Sequence, residues 1–221
     1  MTSGAIGGLD APMVEEALAE PAEKRKGSMR AICIVGSPRP DGSTARLVDV
    51  IIEGMRAAGI EARRHVLGEL TIHYCQGCRE CEVTLKCVQR DDMDTLLADI
   101  LDSDIVLLAS PSYWGDVTGQ MKVFIDRSLP LCNAATGQTP VPPGKIGVAV
   151  AVRAGRSVGE NQHIVDTFEH YFGHLGIEMR ATLTAEGINS PSDLEHDPDI
   201  LEEAASLGRN ILANRPLEPD L

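Results

Sequence analysis

Strand-length apolar runs that alternate with helix-length amphipathic stretches constrain this chain more than any other feature it has. The run 29–36, MRAICIVG, is apolar almost throughout and ends in glycine, the pattern of a parallel strand buried on both faces. Residues 43–58 follow with Leu47, Val48, Ile51, Ile52 and Met55 at helical spacing, and Gly59 stops them. Residues 60–67 read as a second, more polar strand, expected at a sheet edge. A helix over 92–101 is predicted, with Asp91 or Asp92 placed to cap it. A third strand covers 104–110 (DIVLLAS), a helix 117–128, a fourth strand 145–152, a helix 159–175, a fifth strand 177–184 and a last helix 191–212. Such alternation demands right-handed crossovers and a parallel sheet with helices on both faces. Five strands that begin with the most buried one predict the order 2-1-3-4-5, with a ligand at the switch point beside the first strand.

One domain over 29–214 accounts for most of the 221 residues. Residues 1–28 are sparse in apolar side chains and are expected to form a mobile tail, with a short helix over 13–19; residues 215–221 form a second tail. The net charge of −13 argues against nucleic acid, which needs clustered Lys and Arg. No apolar stretch approaches the ~20 residues of a membrane span. The first residues show neither a basic n-region nor a long apolar h-region, so a cytoplasmic chain is the expectation. In so acidic a chain an anionic ligand must be held by local donors.

The first strand leads into Gly36-Ser37-Pro38-Arg39-Pro40-Asp41-Gly42-Ser43-Thr44, and a helix starts at once. Hydroxyls, backbone N–H groups and the positive helix end converge there, Gly36 and Gly42 permit tight turns, and Arg39 can neutralise charge. That set suits the terminal phosphate of a mononucleotide; an ordinary capped turn needs fewer such groups. A G-x-G-x-x-G fingerprint and a Gly-Lys-Ser/Thr phosphate loop are both absent. Cys33 and Arg39 have phosphatase-loop spacing, but Cys33 falls inside the strand, where a buried thiol is a poor nucleophile.

After the third strand come Pro111-Ser112-Tyr113-Trp114-Gly115-Asp116, two of the chain's seven aromatic residues side by side at the sheet rim. They suit a flat ring needing apolar cover, or simply a hydrophobic face. A third loop, Arg153-Ala154-Gly155-Arg156-Ser157-Val158-Gly159, has a position that fits the edge of such a ring. Its two arginines suit either a nicotinamide cofactor's phosphate or solvent.

Cys75, Cys78, Cys81 and Cys87 form C-x2-C-x2-C-x5-C. Three thiols at intervals of three with a fourth close behind suit a [4Fe–4S] cube; zinc sites more often pair two knuckles across a longer loop, and a metal-free thiol loop remains open. Cys33 and Cys132 are expected bystanders, and His170 and His174 surface or interface residues.

GSPRPDGST resembles the phosphate loop of the NADPH-dependent FMN reductase group in the flavodoxin-like superfamily, and SPSYWGDVTGQMKVFIDR resembles its second flavin loop and following helix. The resemblance implies a flavodoxin-like three-layer α/β/α sandwich. It implies contacts to the FMN phosphate from Ser37, Arg39, Ser43 and Thr44 around Gly42, and flavin contacts from Pro111, Ser112, Tyr113, Trp114 and Gly115. Ala154 and Gly155 complete the expected cofactor-binding set. The cysteine segment with the following VQRDDM resembles the iron–sulfur flavoproteins of this superfamily, implying that Cys75, Cys78, Cys81 and Cys87 bind a [4Fe–4S] cluster near FMN. Dimers or tetramers, with sites completed across interfaces, are implied too. The expected function is FMN-dependent redox chemistry, with electrons entering from NAD(P)H or ferredoxin and leaving to an unspecified acceptor, the chemistry residing in the cofactors. Two alternatives stand beside it: a cluster-free NAD(P)H-dependent FMN, quinone or azo reductase, and a non-enzymatic electron carrier or thiol redox sensor.

Overall fold

All five expected strands form, and they pair in the expected order. The computed structural model describes residues 28–132, 139–156 and 159–213; the expected tails and the helix over 13–19 lie outside these residues, apart from the exposed Ser28. The elements are β1 (Arg30–Val35), α1 (Ser43–Ala57), β2 (Glu61–Val66), the single turn α2 (Cys81–Thr84), α3 (Met93–Asp102), β3 (Ile105–Pro111), α4 (Gly119–Arg127), β4 (Ile146–Arg153), α5 (Gln162–His174), β5 (Glu178–Glu186), α6 (Pro191–Glu195) and α7 (Pro198–Asn210). The sheet runs β2-β1-β3-β4-β5 with every pair parallel, and the polar β2 is indeed at the edge.

Successive side chains of a strand point to opposite faces, which divides the core in two. Ala31, Cys33 and Val35 of β1, with Leu107 and Val150, pack under α1 and α7. Ile32 and Ile34, with Val106, Leu108 and Ala149, pack under α3, α4 and α5. Cys33 is wholly buried, and burial, reinforced by the charge of Asp49, pushes its thiol up to about 12. That rules it out as a nucleophile at ordinary pH.

The last expected helix is two helices. Apolar spacing runs across the junction, but Pro198 lacks an N–H and opens α7, with Asp197 as its cap accepting from the Ile200 N–H at 3.2 Å. α7 then crosses α1 at a pair of glycines. A Cβ on Gly208 would stand 2.1 Å from the carbonyl oxygen of Ile51, and one on Gly54 2.5 Å from that of Ala205. Backbone atoms cannot swing aside. Gly208→Ala gains about 1 kcal/mol of helix propensity, yet it must push the helices apart and is expected to lose about 1–3 kcal/mol net. Urea or thermal unfolding reads this directly.

Candidate cofactor site

The loops that follow β1, β3 and β4 all leave the carboxyl edge of the sheet, so the fold itself brings them together. At the first of them, the Gly36 N–H donates to Ala109 O at 2.7 Å, and a Cβ on Gly36 would lie 2.9 Å from Met121 Cβ, so the backbone passes where no side chain fits. Ser37 Oγ accepts from the Arg39 N–H at 3.1 Å, and Gly42 N–H donates back to Arg39 O at 3.2 Å, closing the turn. Gly42 is the N-cap of α1 and brings no side-chain cap, and no acidic residue lies in the first helical turn. The N–H groups of Ser43, Thr44 and Ala45 therefore point out of the helix end without intrahelical acceptors. Ser43 and Thr44 are buried, and Ser43 Oγ has no hydrogen-bond partner. Leaving a buried hydroxyl unsatisfied costs about 1–3 kcal/mol. With free amides, this hydroxyl and the helix dipole at one helix end, the loop has the chemistry to accept an anion. Arg39 is exposed beside it.

Thr118, which the motif reading passed over, ties the first loop to the second. Its hydroxyl donates to Gly36 O at 2.5 Å and accepts from the Met121 N–H at 3.2 Å, capping α4. Its own N–H donates to Ser110 Oγ at 3.1 Å, and both residues are fully buried. A Thr ahead of the amphipathic GQMKVFIDR was a readable cap signal; its bond to Gly36, 82 positions away, was not.

In the second loop the Ser112 N–H donates to Val152 O at 2.7 Å, and Tyr113 and Asp116 exchange backbone hydrogen bonds of 2.9 and 3.2 Å across a tight turn. Trp114 and Gly115 occupy that turn with φ of 58° and 78°. Trp114 is fully exposed and Tyr113 half exposed, so Trp114 covers no hydrophobic face of its own chain. A bulky residue in left-handed conformation costs about 1–2 kcal/mol, and such strain gathers at ligand sites.

In the third loop, Ala154 and Gly155 are exposed and held by hydrogen bonds from Gly187 N–H to Gly155 O at 3.0 Å and from Ile188 N–H to Arg153 O at 2.9 Å. Arg153 is buried and ion-paired with Glu160, while Arg156 is exposed with its guanidinium over Gly187. Ser157 and Val158 lie outside the described residues.

Cys75, Cys78, Cys81 and Cys87 line one cavity of about 40 Å³, shared with Arg127 and Pro130. All four are free thiols; Cys81 is buried, Cys87 half-buried, Cys75 and Cys78 exposed. Left-handed backbone at Gly77 (φ 63°), Arg79 (φ 63°) and Leu85 (φ 53°) bends the segment around the cavity. Burial raises the Cys81 thiol, and the nearby Cys87, Cys75 and Cys78 raise it further. Among the described residues, no three His, Cys, Asp or Glu side chains converge closely enough to hold a metal ion. Cys132 is half-buried and lines, with His163, His170 and His174, an adjoining groove of about 730 Å³ that Cys75 also borders.

The base of the cysteine segment is pinned by a buried ion pair. Asp91 takes both Arg127 terminal nitrogens, at 2.8 and 3.0 Å, and Arg127 also donates to His73 O at 2.6 Å. The same carboxylate accepts N–H groups from His73 at 2.9 Å and Met93 at 3.1 Å. Asp91 and Asp92 thus differ from simple caps. Asp92 holds the N-cap position of α3 without a side-chain cap bond, and its carboxylate accepts from the Thr71 N–H at 2.7 Å. Burial would lower the Arg127 charge state, but Asp91 and the neighbouring Cys87 outweigh it and hold the guanidinium charged.

Residues 29–183 match the NADPH-dependent FMN reductase family. An iron–sulfur flavoprotein of Archaeoglobus fulgidus is 36% identical over 183 residues, which cover 83% of this chain and 79% of that protein. An iron–sulfur flavoprotein of Methanocaldococcus jannaschii is 33% identical over 189 residues, 83% of this chain and 95% of that one. Among solved structures, an NAD(P)H:quinone oxidoreductase from Methanothermobacter marburgensis superposes with a TM-score of 0.65 at 16% identity, over 87% of this chain and all of the other. The fold is flavodoxin-like, and the family match makes this an FMN-dependent redox protein. The chain belongs to the NADPH-dependent FMN reductase family and, within it, to the branch of the iron–sulfur flavoproteins. It is an NAD(P)H-dependent flavin oxidoreductase. Among the described residues no helix is long and apolar enough to cross a membrane.

Proposed function

We propose that the chain carries electrons from NAD(P)H, or from ferredoxin, through FMN and a [4Fe–4S] cluster to a separate acceptor. One observation supports this reading: α4 runs from the loops that would hold FMN to the segment that would hold the cluster. Its N-terminal cap, Thr118, ties both flavin loops, and its last residue, Arg127, anchors the cysteine segment. Nine residues of helix span only about 13 Å.

The residues present suit both groups. Ser43 Oγ, buried and unsatisfied, with the amides of Ser43, Thr44 and Ala45, would bind the FMN phosphate, with Ser37 and Arg39 alongside and Gly42 leaving the helix end open. Pro111, Ser112, Tyr113, Trp114, Gly115, Ala154 and Gly155 would border the ring. Four thiols around one cavity suit a cluster, whose irons take one thiolate each, better than a single ion that needs all its ligands at one point. Held by these residues, FMN would supply two-electron chemistry toward a nicotinamide and a cluster would supply one-electron transfer. The protein's part is to bind, to orient and to hold the two sites at a fixed separation. Assembly into a homodimer or homotetramer, with the exposed Trp114 covered by a neighbouring copy, belongs to the same reading.

Anaerobic purification with an absorption spectrum and metal analysis tests it. FMN with about four iron and four sulfide per chain is the expected result. The exposure of Cys75 and Cys78 favours a cluster-free reductase as the second reading, and FMN without iron would establish that one. Colourless protein that takes up no FMN would refute both.

A further inference from the structure

Arg127 ends α4 with its side chain almost wholly inside the protein, at 1% exposure. A guanidinium has five N–H bonds, and three are accounted for here: two go to the separate oxygens of Asp91 and one to His73 O. The Nε–H is buried and meets no acceptor. An unmade bond of that kind is costly, more so on a charged group. The same side chain forms part of the wall of the cavity that all four cysteines line. A fixed cation with an unused donor, set into the wall of a cavity that the four thiols share with Glu82, paired to Arg79, and Asp126, paired to Lys122, suits a guest that is anionic and presents sulfur acceptors. Asp91 and the His73 carbonyl leave the Nε–H unused, and the thiol beside the guanidinium is Cys87, one of the four that line the cavity.

We infer that Arg127 contacts the cofactor held by Cys75, Cys78, Cys81 and Cys87, its Nε–H donating to a sulfur of that group and its charge raising the group's reduction potential. The inference rests on the cluster reading proposed above. Its sign follows from electrostatics. Reduction adds one negative charge to a thiolate-ligated cluster, so a buried cation and an N–H donor favour the reduced form over the oxidised one. Lysine is a weaker substitute: it keeps a point charge and lacks the planar fork and its Nε–H.

A purely structural Arg127 would pin His73 and Asp91 and leave the potential alone, so the potential decides. The experiment is a spectroelectrochemical titration of anaerobically purified wild type, Arg127→Lys and the double variant Arg127→Met/Asp91→Leu, with iron counted in each first. The double variant removes both charges together, so no buried ion is stranded, and a thermal melt of each variant shows how far losing the Asp91 acceptor for the His73 and Met93 amides loosens the segment. At wild-type iron content, both variants are expected to titrate at more negative potential, the double variant further than the lysine variant. An unchanged midpoint at unchanged iron content overturns the inference. Wild-type protein without iron overturns the cluster reading itself, and the inference with it; the iron count tells the two failures apart.

Discussion

Ser43→Ala is expected to move stability and affinity in opposite directions. In the apoprotein the Ser43 hydroxyl is buried with no partner, so removing it is expected to leave the apoprotein as stable as the wild type or up to about 1–3 kcal/mol more stable. Toward FMN the sign reverses. A hydrogen bond to a charged group is worth about 1.5–3 kcal/mol, so the variant is expected to bind FMN roughly 10–100-fold more weakly. Thermal unfolding of the apoprotein and flavin fluorescence quenching read the two halves separately. A variant that is less stable and binds FMN as before would show that the hydroxyl serves the fold and not a phosphate.

Asp91→Ala carries the largest expected loss of stability. Asp91 and Arg127 have side-chain exposures of 2% and 1%, and the aspartate holds the backbone on both sides of the cysteine segment. Stranding the buried arginine costs about 3–5 kcal/mol. At about 2–4 °C per kcal/mol for a domain of this size, the midpoint falls by roughly 6–20 °C. Asp91→Leu/Arg127→Met is expected to recover most of that loss, because it removes both charges. The pH dependence has a definite sign. Burial pushes the Asp91 carboxyl up, but the hydrogen bonds from Arg127 and from the amides of His73 and Met93 outweigh it and hold it below the ordinary carboxylate value. Its contribution is therefore complete above the unfolded value of about 3.9 and lost as pH falls through the lower, folded value. Acid titrations of unfolding free energy should show a steeper acid limb for the wild type than for the double variant. Equal limbs would remove Asp91 from the account.

Those two residues also mark where sequence reasoning reaches its limit. The strands and their order are legible because a strand buried on both faces must be apolar throughout, as Ile32 to Val35 are. The turn into α1 is legible as a candidate anion site because hydroxyls, glycines and a helix start crowd into nine consecutive residues. Arg127 gives no such signal: an arginine in the last turn of a helix reads as a solvated partner of the helix dipole, and only its pairing with Asp91, 36 positions earlier, shows it buried. At Trp114 it is the conformation that the sequence hides. Composition makes an aromatic look like cover, while its positive φ and full exposure depend on the turn that Tyr113 and Asp116 close. Pro198 was the readable break in the last helix, overridden by apolar spacing that continues across it. Arg153 is a second buried charge, but its partner Glu160 lies only seven positions further along the same connection.

The most direct test compares FMN with riboflavin, which differs from it only by the phosphate. Apoprotein titrated with each should bind FMN at least tenfold more tightly, and Ser43→Ala should narrow that preference. Equal affinity for the two flavins would contradict the claim that the turn between β1 and α1 grips a phosphate.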